Sequence, residues 1–232
     1  MSCADRLLAE YYDAFSQRWI DPQPLEDALA DARQVLWLGS YYGLAKPAAH
    51  AEWVIADLSP TMLRIGLDRL GPCLAVEADI RRLPFSQRFD SIVAPGCVTA
   101  YLLTEHDLEA AAKSLAAALR RHPHARLMLD AYDCDSIFLK DYFQGDRWLR
   151  LDGRDWLRRA SLERAPGQPG VFDVTLDFIA PDGIERNRPV HFRQRAFRPE
   201  ELAAPFLNKG LELLHQVRDN AHGRFYLTFA PT

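Results

Sequence analysis

The sequence has little that would mark a secreted, metal-binding or nucleic-acid-binding protein. Its four cysteines are scattered and form no C-x-x-C pair, so neither a disulfide framework nor a zinc site is expected. The net charge of −4 gives no basic surface for nucleic acid. There is no signal-peptide pattern and no run of about 18 apolar residues. We therefore expect a cytoplasmic protein with reduced thiols that binds neither metal, membrane nor nucleic acid.

Short apolar runs alternate with helical patterns through the first part of the 232 residues. Helices are predicted at residues 4–19, after the capping Asp21, at 43–51, after the capping Ser59 and at 104–121. Buried strands are predicted at 34–38, 53–56, 73–76, 89–94 and 125–129. Strands that alternate with helices indicate an α/β fold with a parallel sheet and right-handed crossovers.

Glycines or polar residues follow every strand of this predicted sheet. They are Gly39 and Gly43, Asp57, Asp79, Gly96, and Asp130 with Tyr132 and Asp133. The carboxyl ends of parallel strands meet at one edge, where open α/β sheets bind ligands. An acidic residue about 20 positions after a glycine loop suits ribose hydroxyls. The sequence therefore predicts a nucleotide-type site at this edge.

After residue 133 the pattern changes to extended runs separated by turn signals. These runs, at 147–151, 156–163, 171–179 and 190–197, predict an antiparallel β insertion. A helix that opens at Pro199 and two closing antiparallel strands at 211–217 and 224–229 follow. We expect a core at 1–133, the insertion at 134–197 and a closing segment of the core at 198–232.

Five stretches occur in one order along about three-quarters of the chain. They are V-L-W-L-G-S-Y-Y-G at 35–43, A-D-L-S-P-T-M-L at 56–63, E-A-D-I-R-R-L-P-F at 77–85, F-D-S-I-V-A-P-G at 89–96, and the tail from 195 to 215. Together they resemble the class I S-adenosylmethionine-dependent methyltransferases. The resemblance implies a Rossmann-like, seven-stranded methyltransferase sheet, with the β insertion as a lid over a small-molecule substrate.

The same resemblance implies S-adenosyl-L-methionine as cofactor and gives residues their roles. Asp57 would accept hydrogen bonds from both ribose hydroxyls, Met62 would pack on the adenine, and Asp79 would accept from the adenine amino group. The expected cofactor-binding residues are Trp37, Gly39, Ser40, Tyr41, Gly43, Asp57, Leu58, Met62, Asp79, Ile80 and Pro95. A helix-cap role for Asp57 and a turn role for Asp79 are the alternatives.

The glycine loop departs from the family pattern at two positions. Trp37 stands where the family usually has an acidic residue, and Tyr41 stands where it has the middle glycine. Both family residues hold the methionine part of the cofactor. Aromatic rings can hold a sulfonium or ammonium by cation–π contact but do not replace a carboxylate's charge. The adenosine half of the site is thus expected to be kept and the methionine half to be rebuilt.

Three hypotheses follow from this departure. The first is methyl transfer to a nitrogen or oxygen of a small molecule, in which the protein aligns donor and acceptor and excludes water. The second is cyclisation of the cofactor to azetidine-2-carboxylate, as in the azetidine-2-carboxylate synthases that share this fold, or aminocarboxypropyl transfer; both release methylthioadenosine. It needs a neutral amine, which the loss of a carboxylate partner favours. The third is a non-catalytic or cofactor-independent member of the fold.

Candidate catalytic residues are polar groups on the N-terminal segment or at strand ends. They are Tyr11, Tyr12, Tyr101, Asp130 and Tyr132. A base is required only for a hydroxyl or ammonium acceptor.

Overall fold

Alternating strands and helices build the protein, as seen in a computed structural model that describes residues 20–39, 50–140, 144–151, 153–181 and 189–232. The helices in these ranges are α1 Gln23–Leu29, α2 Pro60–Leu70, α3 Glu105–Ala118 and α4 Pro199–Leu207. The strands of the central sheet are β1 Gln34–Leu38, β2 Glu52–Asp57, β3 Leu74–Glu77, β4 Ser91–Ala94, β5 Arg126–Tyr132, β10 Leu211–Asp219 and β11 Arg224–Pro231. A second sheet contains β6 Gly145–Leu151, β7 Arg154–Arg164, β8 Val171–Ile179 and β9 Val190–Arg195.

The central sheet has the strand order β10-β11-β5-β4-β1-β2-β3. Strands β1 to β5 pair in parallel, and β11 pairs antiparallel with both β5 and β10. The chain moves outward from β1 to β3 and then returns to place β4 on the other side of β1. This reversal between β1 and β4 is the topological switch point, where open α/β sheets form their ligand crevice.

Both faces of the central sheet are covered. Leu36 and Leu38 of β1 belong to the core cluster that contains α3 and α4 residues, whereas Val35 and Trp37 belong to the cluster on the α1 side. Successive side chains of a strand point to opposite faces, so a strand that is buried on both faces must be apolar throughout. None of the described helices combines the length and apolar character needed to span a membrane.

The second sheet, which we call the lid sheet, is antiparallel with the order β6-β7-β8-β9. Its apolar face shares one core cluster with Cys97, Ala100 and Tyr132, which lie near the carboxyl ends of β4 and β5. The lid sheet therefore packs on the edge of the central sheet at which β4 and β5 end.

The structure confirms the α/β fold, the seven-stranded sheet and the antiparallel β insertion. The five parallel strands, the four insertion strands and the closing pair all lie where the sequence predicts them, within a few residues. Ser59 caps α2 by accepting from the Met62 amide at 3.4 Å, and Thr104 caps α3. Predicted helical residues 4–19 and 43–49 lie outside the described ranges. The division of the chain at residues 133 and 197 stays a prediction.

Two predicted boundaries are wrong. Strand β5 continues to Tyr132 instead of ending at Leu129, because β11 pairs with it as far as the Arg224–Tyr132 position. Helix α1 has Pro22 rather than Asp21 at its N-cap position, although the Asp21 carboxylate accepts from the Gln23 amide at 3.0 Å.

Candidate functional site

Gly39 marks the switch point of the sheet. It follows β1 with φ of +82°, and its amide donates to the Ala56 carbonyl of β2 at 2.9 Å. A Cβ atom built on Gly39 would lie 2.4 Å from Cγ2 of Val98, in the turn after β4. Glycine is required here both for its backbone angle and for the close approach of Val98. The carboxyl ends of β1, β2 and β4 thus converge on this residue.

Asp57 ends β2 as a half-buried carboxylate. Its Oδ1 accepts from the Ser59 amide at 2.7 Å, and burial raises the pKa of Asp57 to about 6, against the backbone hydrogen bonds that lower it. No cation of the described residues forms an ion pair with it. A carboxylate that is desolvated but uncompensated is costly, and such groups cluster at functional sites.

Two apolar side chains accompany Asp57. Leu58 is 62% exposed, which is unusual for a large aliphatic residue directly after a buried strand. Met62, one turn into α2, is half-buried. The acidic group and these apolar side chains together suit a ligand that has hydroxyl donors on one part and a flat apolar ring on another, as adenosine does.

Asp79 holds the turn after β3 in place. Its carboxylate accepts the Arg81 amide at 2.9 Å and a bidentate guanidinium contact whose shortest distance, to Arg81 Nη2, is 2.7 Å. The Arg81 side chain holds the pKa of Asp79 below its usual range. Arg81 Nη1 also contacts Asp107 of α3 at 2.6 Å. Asp79 therefore has the turn role that the sequence left as an alternative, and the adenine contacts of Asp79 and of the neighbouring half-buried Ile80 stay predictions.

The turn after β4 has two consecutive residues with positive φ, Gly96 at +86° and Cys97 at +58°. The left-handed region is unfavourable for a cysteine. Both amides point at Asp130 of β5: Gly96 N lies 3.0 Å from Oδ2, and Cys97 N lies 2.6 Å from Oδ1. Pro95, which precedes this turn, is buried. The turn therefore depends on a carboxylate from the next strand.

Asp130 is fully buried and pairs with the buried Arg224 of β11, whose Nη1 lies 3.1 Å from Oδ2. Burial raises the pKa of Asp130, and Arg224 opposes that rise. The prediction that Asp130 is a catalytic base does not fit this geometry, because its oxygens are engaged and none is exposed to a substrate. We correct its role to that of a positioning residue.

The two candidate tyrosines near the strand ends differ in exposure. Tyr101, in the short 3-10 turn Val98–Tyr101 after β4, is 47% exposed, and its candidate catalytic role stays a prediction. Tyr132 is buried, packs edge-on against Phe172 of the lid sheet and lies under the Arg224 guanidinium. Tyr132 therefore joins the lid sheet to the core, and a catalytic role for it has no support from exposure.

The two faces of the lid sheet are chemically distinct. The outer face has exposed ion pairs such as Arg159–Asp146 and Arg193–Asp173. The inner face is mainly apolar, and its buried polar side chains include Arg158 and Gln194. Only the inner face can meet a substrate held at the edge of the central sheet.

The structure corrects the role of Trp37. Its indole is fully buried and stacks on Trp53, with ring centroids 5.8 Å apart, in the core on the α1 side of the sheet. A ring that is enclosed in this way cannot take the place of a cofactor-binding carboxylate. Side chains of β1 alternate between faces, and this position points into the helix layer.

The other candidates lie outside the described residues. They are Tyr11, Tyr12, Ser40, Tyr41 and Gly43. Their roles stay predictions.

Sequence reasoning missed three residues that build the site: Arg81, Cys97 and Arg224. Arg81 is visible only as one of two adjacent arginines, and nothing in the sequence shows that it returns to Asp79. A positive φ at Cys97 has no sequence signal, because cysteine does not favour that conformation. Arg224 lies 94 positions from Asp130, so only the strand pairing reveals their contact.

Comparisons with known proteins give structural matches at low sequence identity. No protein-family model and no curated protein sequence matches the chain. A methyltransferase from Clostridium acetobutylicum that depends on S-adenosylmethionine superposes with a TM-score of 0.72 at 16% identity over 99% of each chain. The amino pentose methyltransferase CalS10 from Micromonospora echinaspora, solved with S-adenosylmethionine bound, gives 0.71 at 20% identity over 96% of each chain.

A third match is the sugar N-methyltransferase KedS8 from a Streptoalloteichus species. Its TM-score is 0.68 at 19% identity, over 93% of this chain and 87% of that one. At these identities the matches establish the fold, which is the Rossmann-like methyltransferase fold. Fold alone does not fix a function.

Replacement of Gly39 by alanine tests the close approach at the switch point. We expect Gly39→Ala to lower the free energy of unfolding by about 2–4 kcal/mol, from backbone strain and the clash with Val98. Gly71→Ala is the matched control, because Gly71 has the same φ of +82° with nothing within 4 Å of its Cβ position. Its backbone angles of φ +82° and ψ −168° should cost an alanine about 1–3 kcal/mol, without the further clash expected at Gly39. Urea denaturation measures both, and equal losses would contradict the contact.

Asp57 and Asp79 should respond to neutralisation with opposite signs. The folded-state pKa of Asp57 is raised, so its charge destabilises the fold increasingly as pH rises from about 4 to about 6. Asp57→Asn should therefore stabilise the ligand-free protein at pH 8 by about 1–3 kcal/mol and have little effect at about pH 4.

The Asp79 carboxylate has a lowered pKa, so it stabilises the fold above the ordinary aspartate pKa and loses this effect as pH falls. Asp79→Asn should destabilise the protein at pH 8, and by less in acid. Thermal unfolding of both variants across this pH range measures the difference. A loss of stability at pH 8 for Asp57→Asn would show that favourable contacts of the Asp57 carboxylate outweigh the cost of its desolvation.

Proposed function

We propose that this chain is an S-adenosyl-L-methionine-dependent methyltransferase that acts on an amine or hydroxyl group of a small molecule. The observation that carries the proposal is the half-buried Asp57, which has no counter-ion among the described residues. It lies at the carboxyl end of β2, beside the switch point marked by Gly39. A cytoplasmic location with reduced thiols is part of the proposal.

The described residues fit the adenosine half of the cofactor. Asp57 offers acceptor oxygens for the two ribose hydroxyls, and charge-assisted hydrogen bonds of this kind are strong. Leu58 and Met62 offer apolar surface for the adenine, and the turn at Asp79–Ile80 is next in line along the sheet edge. Gly39 lets Val98 of the turn after β4 pack directly against the end of β1, which sets one wall of the proposed site.

When bound, the cofactor would supply an electrophilic methyl group to an acceptor nitrogen or oxygen, with the cofactor sulfur as the leaving group. The chain's part is to align the two reactants and keep water away. The lid sheet provides the apolar cover, since its inner face packs on Cys97, Ala100 and Tyr132. Tyr101 is the exposed candidate at the acceptor side, where it can contact or orient the acceptor.

The nature of the acceptor is proposed from the structural matches. CalS10 is an amino pentose methyltransferase and KedS8 is a sugar N-methyltransferase. An amine on a sugar is therefore the first acceptor class to test. Cyclisation of the cofactor has no supporting observation in the described residues. The cyclisation hypothesis depends on the two altered positions of the glycine loop, and one of these residues, Trp37, lies in the core.

The products formed from the cofactor test the reaction type. We expect no turnover of S-adenosyl-L-methionine alone, and S-adenosylhomocysteine with a methylated product when aminosugars are supplied. Liquid chromatography with mass spectrometry measures both. Methylthioadenosine formed without an acceptor would replace this proposal by cyclisation.

Cofactor affinity tests the role of Asp57. Asp57→Asn should weaken binding of S-adenosyl-L-methionine by about 10- to 100-fold, because hydrogen bonds to a charged group contribute roughly 1.5–3 kcal/mol. Asp68→Asn removes the same charge from an exposed position on α2 and should leave the affinity unchanged. Calorimetry measures both variants. Equal affinities, or no binding by the unaltered protein at millimolar cofactor, would refute the proposal.

A further inference from the structure

The buried ion pair Asp130–Arg224 joins two strands to one strained turn. Asp130 lies on β5 and Arg224 on β11, and the carboxylate accepts from two amides of the turn that follows β4. The Thr99 hydroxyl adds a hydrogen bond to the Asp130 carbonyl at 2.6 Å. The two amides of the turn and the Thr99 hydroxyl are thus all held by one residue of the neighbouring strand.

The turn cannot keep its conformation by local preference. Cys97 is in the left-handed region without being a glycine, and such a conformation persists only when the surroundings hold it. Amides that converge in a turn of this kind form an anion-binding concavity, which the Asp130 carboxylate fills. A carboxylate buried so completely needs a charged partner, and Arg224 provides it.

The same turn carries residues of the candidate site on its far side. Val98 packs against Gly39 at the switch point, and the Tyr101 ring is exposed at the end of the turn. A shift of the turn would therefore move both the wall of the cofactor crevice and the candidate acceptor contact. Arg224 is fully buried, with its guanidinium paired to Asp130 and lying over the Tyr132 ring, so it acts on the site through its neighbours.

We propose that Asp130 and Arg224 are positioning residues for the site: the pair fixes the turn Gly96–Cys97, and so places Val98 against Gly39 and Tyr101 at the cleft. The effect of the pair on catalysis rests on the proposed methyltransferase function. The effect of the pair on the conformation of the turn is independent of that function.

Cys97 provides a direct readout of the turn. Its thiol is buried, with Sγ 3.9 Å from Asp130 Oδ2, whereas Cys73 and Cys134 are half-buried. N-ethylmaleimide labelling, followed by peptide mass spectrometry, reports each cysteine separately in the full chain. In the unaltered protein Cys97 should be protected relative to the other two.

Arg224→Met removes the charge and keeps much of the side-chain bulk. We expect labelling of Cys97 to rise by about ten-fold or more, because local opening of the turn becomes easier, while Cys73 and Cys134 change by less than about two-fold. Arg218→Met is the matched control. Arg218 of β10 pairs with the buried Asp133, which directly follows β5, at 3.0 Å, so this variant also breaks an ion pair but leaves the turn after β4 alone. Arg224→Lys should restore part of the protection.

Two results would overturn the proposal. One is unchanged protection of Cys97 in Arg224→Met; the other is a parallel rise at all three cysteines, which would show a loss of global stability only. Asp130→Asn gives a second route if Arg224→Met does not fold, since it removes the charge with almost no change in size, and the same two results apply.

Cofactor binding separates this inference from the proposed function. Calorimetry with S-adenosyl-L-methionine should show affinity weakened by about five-fold or more in Arg224→Met and unchanged in Arg218→Met. Equal affinities in these variants would refute the positioning of the crevice. If the unaltered protein binds no cofactor, the methyltransferase proposal fails, while the labelling of Cys97 still decides whether the pair holds the turn.

Discussion

Burial of the central sheet on both faces is the constraint on which the site depends. Layers that contain α1 on one side and α3 with α4 on the other leave little room for polar groups along the strands, and the buried Asp130 and Arg224 are paired with each other. Most polar chemistry therefore lies near the strand ends. Because β1 to β5 run in parallel, their carboxyl ends share one edge, and the reversal between β1 and β4 opens a crevice there. Gly39, Asp57 and the turn after β4 all lie at this edge.

Some groups at this edge destabilise the folded protein, and burial of the apolar layers must offset their unfavourable free energy. Asp57 is partly desolvated and has no counter-ion among the described residues, and Cys97 has a strained backbone. Strain and desolvation of this kind contribute roughly 1–3 kcal/mol each against folding. A protein gains nothing in stability from such features. Their concentration at one edge, rather than across the surface, is a reason to regard that edge as functional.

Much of the fold could be predicted from the sequence because its signals are local. Apolar runs of strand length, capping residues such as Ser59 and Thr104, and turn signals each depend on neighbours in the chain. Asp57 could be found in the same way, since it directly follows a buried strand. The boundaries that failed, at Leu129 and Asp21, depend on long-range pairing and on backbone geometry, which local patterns do not contain.

The parts of the site that could not be predicted are those made by distant partners. Arg224 meets Asp130 only because β11 inserts beside β5, and that pairing turns a candidate base into a buried positioning group. Arg81 likewise turns Asp79 into the anchor of its turn. In both cases the sequence identified the carboxylate but not the arginine that decides what the carboxylate can do.

The core position of Trp37 changes what the altered glycine loop means. A tryptophan facing the cleft would have implied a rebuilt cation–π site for the methionine end of the cofactor. A tryptophan stacked on Trp53 instead makes the first half of the loop a packing feature of the α1 side of the sheet. The charge that the family places here is then absent from β1, and no other residue of β1 can supply it, since the remaining side chains of the strand are apolar or lie at its start. Under the proposed function, recognition of the cofactor amine would have to come from outside this strand, whereas the proposed recognition of the adenosine by Asp57 needs no such replacement.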